Sequence, residues 1–289
     1  VEFANAFVGG GVMTGDAAME ELLFLSKPEL MVAMAVENMM SDTEVVCISG
    51  ARKYSDTSGY GSSFEFAGDY DNRRPGPPPT VVAIDAVRGG GPAMTEPALL
   101  RDMNKARIAF DGVREVATGH WGCGAYGNNK DLMFLKQWLA ASEAGVEKVY
   151  YYDFGDRKKQ SHNIQPLVGK LKHLTVGQLW DFLLRDLTGL GLHSMATFQK
   201  HVAAVATGKL PIAPCTRAGD APALPVLSEG SKPEPTADEP GSGPSSAPLV
   251  EDTVVPSLKT NTVVRIARDV MIARDNGSYT IQYGGFITD

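Results

Sequence analysis

The pattern of apolar and polar positions over the first 185 residues predicts alternating strands and helices. Residues 1–7 alternate as in a half-buried strand, and the mainly apolar residues 80–87 suit a central strand with both faces covered. Similar patterns predict strands at 43–48, 113–117 and 148–156 and helices at 26–40, 97–110, 130–144 and 174–184. Such alternation is typical of an α/β fold.

The composition changes after about residue 210. Residues 211–260 are rich in Pro, Ser, Gly, Glu and Ala, a composition that buries too little apolar surface to offset the entropy of ordering. Residues 261–289 return to apolar alternation around Asn276-Gly277, a hairpin signal. We therefore predict a folded domain at 1–210, a disordered linker at 211–260 and a hairpin-like tail at 261–289.

Composition and charge exclude several classes of protein. With 289 residues and 43% hydrophobic content, the chain can bury a core, and its net charge of -7 argues against direct binding of nucleic acid. No apolar run reaches the roughly 18 residues of a membrane span, and the first residues lack the pattern of a secretory leader. Three distant cysteines and five scattered histidines predict neither disulfides nor a metal site, which favours a reducing compartment.

Three glycines lie just ahead of two adjacent carboxylates. Gly9, Gly10 and Gly11 follow the first predicted strand, and Glu20 and Glu21 come shortly after. Consecutive glycines indicate positive φ angles or a phosphate close to the backbone. Beside a carboxylic acid, such a loop suggests cleavage of a bond in a phosphorylated ligand, with the acid protonating the leaving oxygen. The alternative is an ordinary loop before a helix whose first turn favours acidic groups.

Other segments carry weaker signals. Residues 118–129 repeat the order of strand, glycine loop and helix, so the two glycine loops are predicted to hold one diphosphate from opposite sides. Residues 89–91 are a second triple glycine, predicted to be a flexible connector. The long polar loop at 49–71 is rich in aromatic residues, which form either a base-stacking lid or anchors on the core.

Several stretches along residues 1–185 resemble one enzyme family in the same order. They are residues 1–5, the three glycines followed by Met19-Glu20-Glu21, and residues 60–68, 82–86, 117–126 and 152–156. Together they are similar to the catalytic macrodomain of eukaryotic poly(ADP-ribose) glycohydrolases. This resemblance implies an α/β fold with a macrodomain-like mixed sheet flanked by helices.

The resemblance also implies an activity, which is hydrolysis of the ribose-ribose O-glycosidic bonds of poly(ADP-ribose) on modified proteins, without metal or cofactor. By the family pattern, Glu21 protonates the leaving oxygen and then activates water, while Glu20 holds ribose hydroxyls. Glu2 is a further acid of the site, Asn5 binds a ribose and Tyr60 closes over the ligand. The other substrate contacts that the resemblance implies are Gly9, Gly10, Gly11, Met19, His120, Trp121, Gly122, Cys123, Gly124, Ala125, Tyr152 and Phe154.

The chain departs from the family pattern at several positions. The family usually has Gln in place of Met19, Asp in place of Glu2, Asn in place of His120, and Phe in place of Tyr126 and Tyr152. A thioether cannot make the hydrogen bonds of an amide, so we expect weakened activity, or a macrodomain that binds ADP-ribose without turnover. The family also has elements upstream of the first residue here, so we expect a domain that is incomplete on that side.

The expected partners and location follow from this substrate. A polymer carried by modified proteins implies the nucleus or the cytoplasm, and we expect a monomer without membrane attachment. A third hypothesis makes the tail after residue 210 the functional part and the macrodomain its scaffold.

Overall fold

The computed structural model describes residues 1–71, 77–153, 164–184, 195–209 and 270–273, which belong to one compact unit. Its strands are β1 (Glu2–Ala4), β2 (Val46–Ile48), β3 (Ser55–Ser58), β4 (Glu65–Asp69), β5 (Val81–Asp85), β6 (Glu115–Gly119), β7 (Lys148–Tyr152) and β8 (Val270–Ala273). Its helices are α1 (Met19–Ser26), α2 (Met31–Val36), α3 (Glu96–Phe110), α4 (Lys130–Glu143), α5 (Ile164–Leu171), α6 (Val176–Leu184) and α7 (Met195–Ala206). The predicted mixed α/β class is confirmed.

The strands of the described residues form two three-stranded sheets and one hairpin. In the first sheet, β5 pairs in parallel with β1 and antiparallel with β2. In the second sheet, β7 pairs in parallel with both β6 and β8. The carboxyl ends of β1 and β5 therefore lie at one edge, and the indole N–H of Trp121, just after β6, donates to the carbonyl of Ile84 in β5 at 2.9 Å. This bond brings the loop after β6 to the same edge.

Strand β5 is buried on both faces. Val82 and Ile84 pack into one apolar cluster together with Phe110, whereas Val81 and Ala83 pack into a second cluster. Successive side chains of a strand point to opposite faces, so a strand covered on both sides is apolar along its whole length. The prediction of a central strand at 80–87 is therefore confirmed.

The predicted helix at 26–40 is wrong in its start and its length. Helix α1 already begins at Met19 and ends at Ser26, and a single 3₁₀ turn separates it from the short α2. The segment Ser26-Lys-Pro-Glu29 has the spacing of a capping box at the start of that predicted helix. Ser26 does not cap a helix, because its hydroxyl donates to the carbonyl of Leu23 within α1. Glu29 instead accepts hydrogen bonds from the backbone of Arg52 and the hydroxyl of Tyr54, so it does not complete a capping box.

The predicted loop at 49–71 contains a hairpin. Strands β3 and β4 pair antiparallel, with a shift in register between Asp56 and Thr57. Most of their residues are exposed or only half-buried, so no alternation of apolar and polar residues marks them in the sequence.

The predictions for the C-terminal part lie mostly outside the described residues. This applies to the linker at 211–260 and to the hairpin around Asn276-Gly277. Of the tail, the structure describes only β8, which pairs with β7. In the described part of the chain, no helix is both long and apolar enough to cross a membrane.

Candidate functional site

Glu20 and Glu21 lie buried in the first turn of α1, with 7% and 6% of their surface exposed. The carboxylate of Glu20 accepts hydrogen bonds from the backbone N–H of Asn5 at 2.8 Å and of Gly9 at 2.6 Å. That of Glu21 accepts from the N–H of Gly11 and of Ala18, each at 2.9 Å. Since four backbone donors fix the two carboxylates, they are positioned by the loop and not by flexible side chains.

Gly10 lies directly against this carboxylate pair. It has a φ of +50°, and a Cβ at this position would be 2.4 Å from Oε1 of Glu21 and 2.8 Å from Oε2 of Glu20. The two carboxylates therefore lie side by side, and only a residue without a side chain fits between them and the loop. The glycine run serves this close approach.

The amides of the glycine run are already used within the protein. Gly9 donates to Glu20, Gly11 donates to Glu21, and the N–H of Gly10 donates to the carbonyl of Phe7 at 3.3 Å. In this arrangement none of the three N–H groups is free to bind a diphosphate, which corrects the role expected of them. An N–H that already donates to a carboxylate is not available to a phosphate. The glycine run therefore holds the two carboxylates in place.

Glu2 brings a third buried carboxylate to the pair. It is 2% exposed, and neither of its side-chain oxygens has a hydrogen-bond partner among the described residues. Burial raises the pKa of Glu2 well above its usual value, and the neighbouring carboxylate of Glu20 adds to the shift. The three acids predicted from the sequence are thus brought together.

Burial also raises the pKa of Glu20 to about 7. The N–H groups of Asn5 and Gly9 oppose this shift, and the charge of Glu21 adds to it. Glu20, next to Glu21, is therefore still partly protonated near neutral pH. This is the protonation state that acid catalysis near pH 7 requires.

The glycine-rich loop after β6 differs from the first, because four of its amides have no acceptor among the described residues, whereas the N–H of Cys123 donates to the carbonyl of His120 at 3.0 Å. The N–H groups of Gly122, Gly124, Ala125 and Tyr126 donate to no described residue. Successive backbone N–H groups without partners form a concave donor site that suits a phosphate. Gly122–Ala125 therefore remain the candidate diphosphate site, now without the first glycine loop.

Two of the predicted contact residues, Trp121 and Cys123, have their side chains bonded within the protein and stabilise the loop. Trp121 is fully buried, so it offers no surface to a ligand and positions the loop through its bond to Ile84. The thiol of Cys123 donates to the carbonyl of Trp121 at 3.3 Å, and burial raises its pKa to about 12, so this cysteine is not a nucleophile near neutral pH. The side-chain amide of Asn128 donates to the carbonyl of Gly122 at 3.1 Å and closes the loop.

Alanine variants of two glycines with the same φ angle test whether the loop after β6 binds ADP-ribose. Gly122 and Gly127 both have a φ of +67°, but a Cβ on Gly122 would be 2.7 Å from Cβ of Ala86, whereas one on Gly127 meets nothing within 4 Å. Both alanine variants carry a backbone cost of about 1–2 kcal/mol. We expect Gly122→Ala alone to weaken ADP-ribose binding, by about tenfold or more, in calorimetric titration. Equal affinities of the two variants would contradict this role of the loop.

His120 belongs to a buried polar cluster beneath the same loop. Its Nε2 lies 3.3 Å from Oδ1 of Asp153, and its ring contacts that of Tyr151 edge to face with centroids 5.9 Å apart. Burial, together with the charge of Asp153, raises the pKa of Asp131 to about 6. No group of three or more His, Cys, Asp or Glu side chains in the described part of the chain is arranged to hold a metal ion.

The remaining predicted contacts lie at the rim or outside the described residues. Tyr60 is 53% exposed, and Gly61 donates to the carbonyl of Ala17, which holds Tyr60 beside the segment that enters α1. Met19 is 42% exposed at the start of α1, and Tyr152 is half-exposed at the end of β7. The side-chain amide N–H of Asn5 donates to no described residue, so it is available to a ribose hydroxyl. Phe154 lies outside the described residues.

Sequence reasoning missed a network of buried ion pairs behind the site. Asp85 at the end of β5 pairs with Arg101 at 2.5 Å and with Lys105, and Asp102 pairs with Lys136 at 2.8 Å. The sequence does contain a sign of this network, because charged residues occur within the helical patterns of α3 and α4. The connector predicted at 89–91 is also wrong in part, since the N–H of Gly89 donates to the carbonyl of Tyr126 at 2.7 Å and a Cβ on Gly89 would lie 2.5 Å from the carbonyl oxygen of Gly127.

The raised pKa values of Glu2 and Glu20 make stability depend on pH. A carboxyl group whose pKa is higher in the folded than in the unfolded chain binds more protons when folded, so the free energy of unfolding falls as pH rises from about 4.5 through about 7. We expect Glu2→Gln to remove part of this fall, so the variant gains stability over the wild type at pH 8 and not at pH 4. Urea unfolding at both pH values measures this, with the exposed Glu37→Gln as control. A gain of the same size at both pH values would contradict the assignment.

Comparison with known proteins adds to this geometry. A family model described as "Poly (ADP-ribose) glycohydrolase (PARG), Macro domain fold" matches residues 1–161. The chain is 31% identical over 236 residues to "Probable poly(ADP-ribose) glycohydrolase 2" of Arabidopsis thaliana, covering 64% of this chain and 45% of that protein. It is 29% identical to "Poly(ADP-ribose) glycohydrolase 1" of the same plant (64% and 48%) and 33% identical to "Poly(ADP-ribose) glycohydrolase 2" of Caenorhabditis elegans (54% and 37%). The chain spans less than half the length of these relatives.

Proposed function

Because this chain belongs to the poly(ADP-ribose) glycohydrolase family and carries its macrodomain, we propose that it hydrolyses the ribose-ribose O-glycosidic bonds of poly(ADP-ribose) and releases ADP-ribose. The observation that carries this proposal is the pair of buried carboxylates of Glu20 and Glu21, fixed by four backbone N–H groups. The amides of Gly122, Gly124, Ala125 and Tyr126, which have no acceptor among the described residues, support it, because they offer a place for the diphosphate of the same ligand.

The proposed reaction divides two tasks between the adjacent glutamates. Glu21 transfers a proton to the ribose oxygen that leaves, and the C–O bond breaks to give an oxocarbenium-like centre. The resulting carboxylate takes a proton from a water molecule. The oxygen of this water bonds to the oxocarbenium-like carbon and becomes its new hydroxyl group. Glu20 holds ribose hydroxyls, and its pKa of about 7 leaves it partly protonated beside Glu21 at neutral pH.

Neighbouring residues of a helix diverge from its axis, so the two carboxylates do not flank one bond from opposite faces as in many glycosidases. Because both carboxylates lie on the same side of the loop, one of them is expected to transfer the proton and the other to position the sugar. This geometry therefore supports the division of tasks between Glu21 and Glu20 over a symmetrical pair.

The substrate also defines the proposed partners and location. Poly(ADP-ribose) on modified proteins is the proposed partner, and the nucleus or the cytoplasm is the proposed place of action. We propose a monomer, since the carboxylate pair and the free amides both come from one chain.

A second candidate function is binding of ADP-ribose without turnover. Met19 favours it, because its half-exposed thioether stands at the start of α1 where an amide would offer hydrogen bonds beside the sugar. Both candidates use the same loop amides and differ only in whether the bond is broken.

Incubation of the 289-residue chain with poly(ADP-ribose) on an automodified polymerase tests the proposal. We expect ADP-ribose to appear in the soluble fraction at a rate proportional to the protein concentration, measured by chromatography. Binding of ADP-ribose with no release above the level of a Glu21→Gln variant would overturn hydrolysis in favour of the binding function. Truncation after residue 215 also removes β8, which pairs with β7, so loss of all release favours a role for the tail only when thermal unfolding shows that the truncated chain still folds.

A further inference from the structure

Arg88 lies at the edge of the sheet where the site is, and no described residue is its acidic partner. It follows β5 by three residues, and its side chain is exposed. Within the described residues it forms no ion pair, whereas Arg101 pairs with Asp85 and Arg114 pairs with Glu147. The guanidinium instead lies over an aromatic ring, with its carbon 4.8 Å from the ring centroid of Tyr126.

The backbone on both sides of Arg88 is fixed to the glycine-rich loop. The N–H of Gly89 donates to the carbonyl of Tyr126 at 2.7 Å, and the side chain of Asn128 donates to the carbonyl of Val87, also at 2.7 Å. The N–H of Val87 donates at 3.0 Å to the carboxylate of Asp102, which is fully buried. The base of the arginine side chain therefore keeps its position relative to the loop.

The guanidinium contacts the ring of a residue that belongs to the loop with the unpartnered amides. Tyr126, on which Arg88 rests, contributes the last of the four unpartnered N–H groups. Tyr126 also lies within electrostatic reach of Glu20, since the charges of Arg88 and Glu20 shift its raised pKa in opposite directions, after the larger effect of burial. Arg88 thus stands on the same side of the molecule as the carboxylate pair and the amides.

We infer that Arg88 binds the diphosphate of the ligand together with the amides of Gly122, Gly124, Ala125 and Tyr126, and that it selects ligands with a diphosphate over uncharged nucleosides. A planar guanidinium can donate two parallel hydrogen bonds to a phosphate, and stacking on Tyr126 orients it for this contact. In a chain of net charge -7, with Glu2, Glu20 and Glu21 buried close by, an anionic ligand needs a local cation. The inference deepens the proposed function and rests on it for the identity of the ligand.

Calorimetric titration of the 289-residue chain with ADP-ribose, adenosine and inorganic pyrophosphate tests this inference. We expect Arg88→Ala to weaken binding of ADP-ribose by about 10- to 100-fold, as loss of a charged hydrogen-bond partner does, and to make it less sensitive to salt. Binding of adenosine should not change. Arg88→Lys should recover only part of the affinity, because an ammonium keeps the charge and loses the bidentate geometry.

Arg114→Ala is the matched control. Arg114 is also exposed, but it precedes β6 and so lies at the opposite end of the strands, paired with Glu147 at 2.8 Å. This variant should bind ADP-ribose as the wild type does, and thermal unfolding should show that both variants fold.

The outcomes separate the inference from the proposed function. Equal affinity of Arg88→Ala and wild type for ADP-ribose overturns the inference, whether or not the chain releases ADP-ribose from polymer. Binding of ADP-ribose that depends on Arg88 in a chain that releases none supports the inference and overturns hydrolysis. A wild type that binds neither ADP-ribose nor pyrophosphate overturns the inference.

Discussion

Replacement of Glu21 by Gln is expected to lower the release of ADP-ribose from poly(ADP-ribose) by about 10²- to 10⁴-fold, the usual loss when a general acid is removed. The amide has no proton to donate at neutral pH and cannot accept one from water. Initial rates of ADP-ribose release at saturating polymer measure the effect. Binding of ADP-ribose should change little, because the variant leaves the unpartnered amides of Gly122, Gly124, Ala125 and Tyr126 unchanged.

Two further variants make this result specific to Glu21. Glu20→Gln should act mainly through KM, since Glu20 is assigned to ribose binding, and the exposed Glu37→Gln should have no effect. Gln at position 21 keeps one of the two acceptors that bind Gly11 and Ala18, so a loss of about 1 kcal/mol in stability is expected and thermal unfolding will report it. A kcat of Glu20→Gln as low as that of Glu21→Gln would contradict the division of tasks and identify Glu20 as the proton donor.

The sequence was sufficient where one short segment carries the whole signal. The apolar run of β5, the helices α3 and α4 and the carboxylates of Glu20 and Glu21 all depend on neighbouring residues, and periodicity or adjacency in the chain reveals them. The family assignment made from the motifs is confirmed by the match over residues 1–161. The motifs that identify the family are also short segments of the chain.

The rest depends on contacts between distant segments. Whether a backbone N–H is free or already bonded cannot be read from a glycine run, so the two glycine loops are equivalent in the sequence. Among the described residues, only the loop at 122–126 keeps several N–H groups without an acceptor. Likewise, the fixation of Gly89 against Tyr126 joins residues that are far apart in the chain. The hairpin of β3 and β4 was missed because its faces are not clearly divided into buried and exposed.

Gly10→Ala is expected to abolish most of the activity although it removes no functional group. The new methyl group would lie 2.4 Å from Oε1 of Glu21 and 2.8 Å from Oε2 of Glu20, well inside van der Waals contact. Because the backbone is fixed on both sides by the bonds of Gly9 and Gly11 to these same carboxylates, the side chains must move and lose those bonds. We expect a loss in kcat of about two orders of magnitude or more, as for removal of the acid itself.

Gly15→Ala separates this steric effect from the cost of the backbone conformation. Gly15 has a φ of +94°, so alanine is strained there too, but its Cβ would meet nothing within 4 Å. Both variants should lose about 1–2 kcal/mol of stability in thermal unfolding, while Gly15→Ala keeps a kcat close to that of the wild type. If the two variants lose activity equally, flexibility of the loop and not the contact of Gly10 with the carboxylates determines turnover, and the glycine run does not hold the catalytic pair.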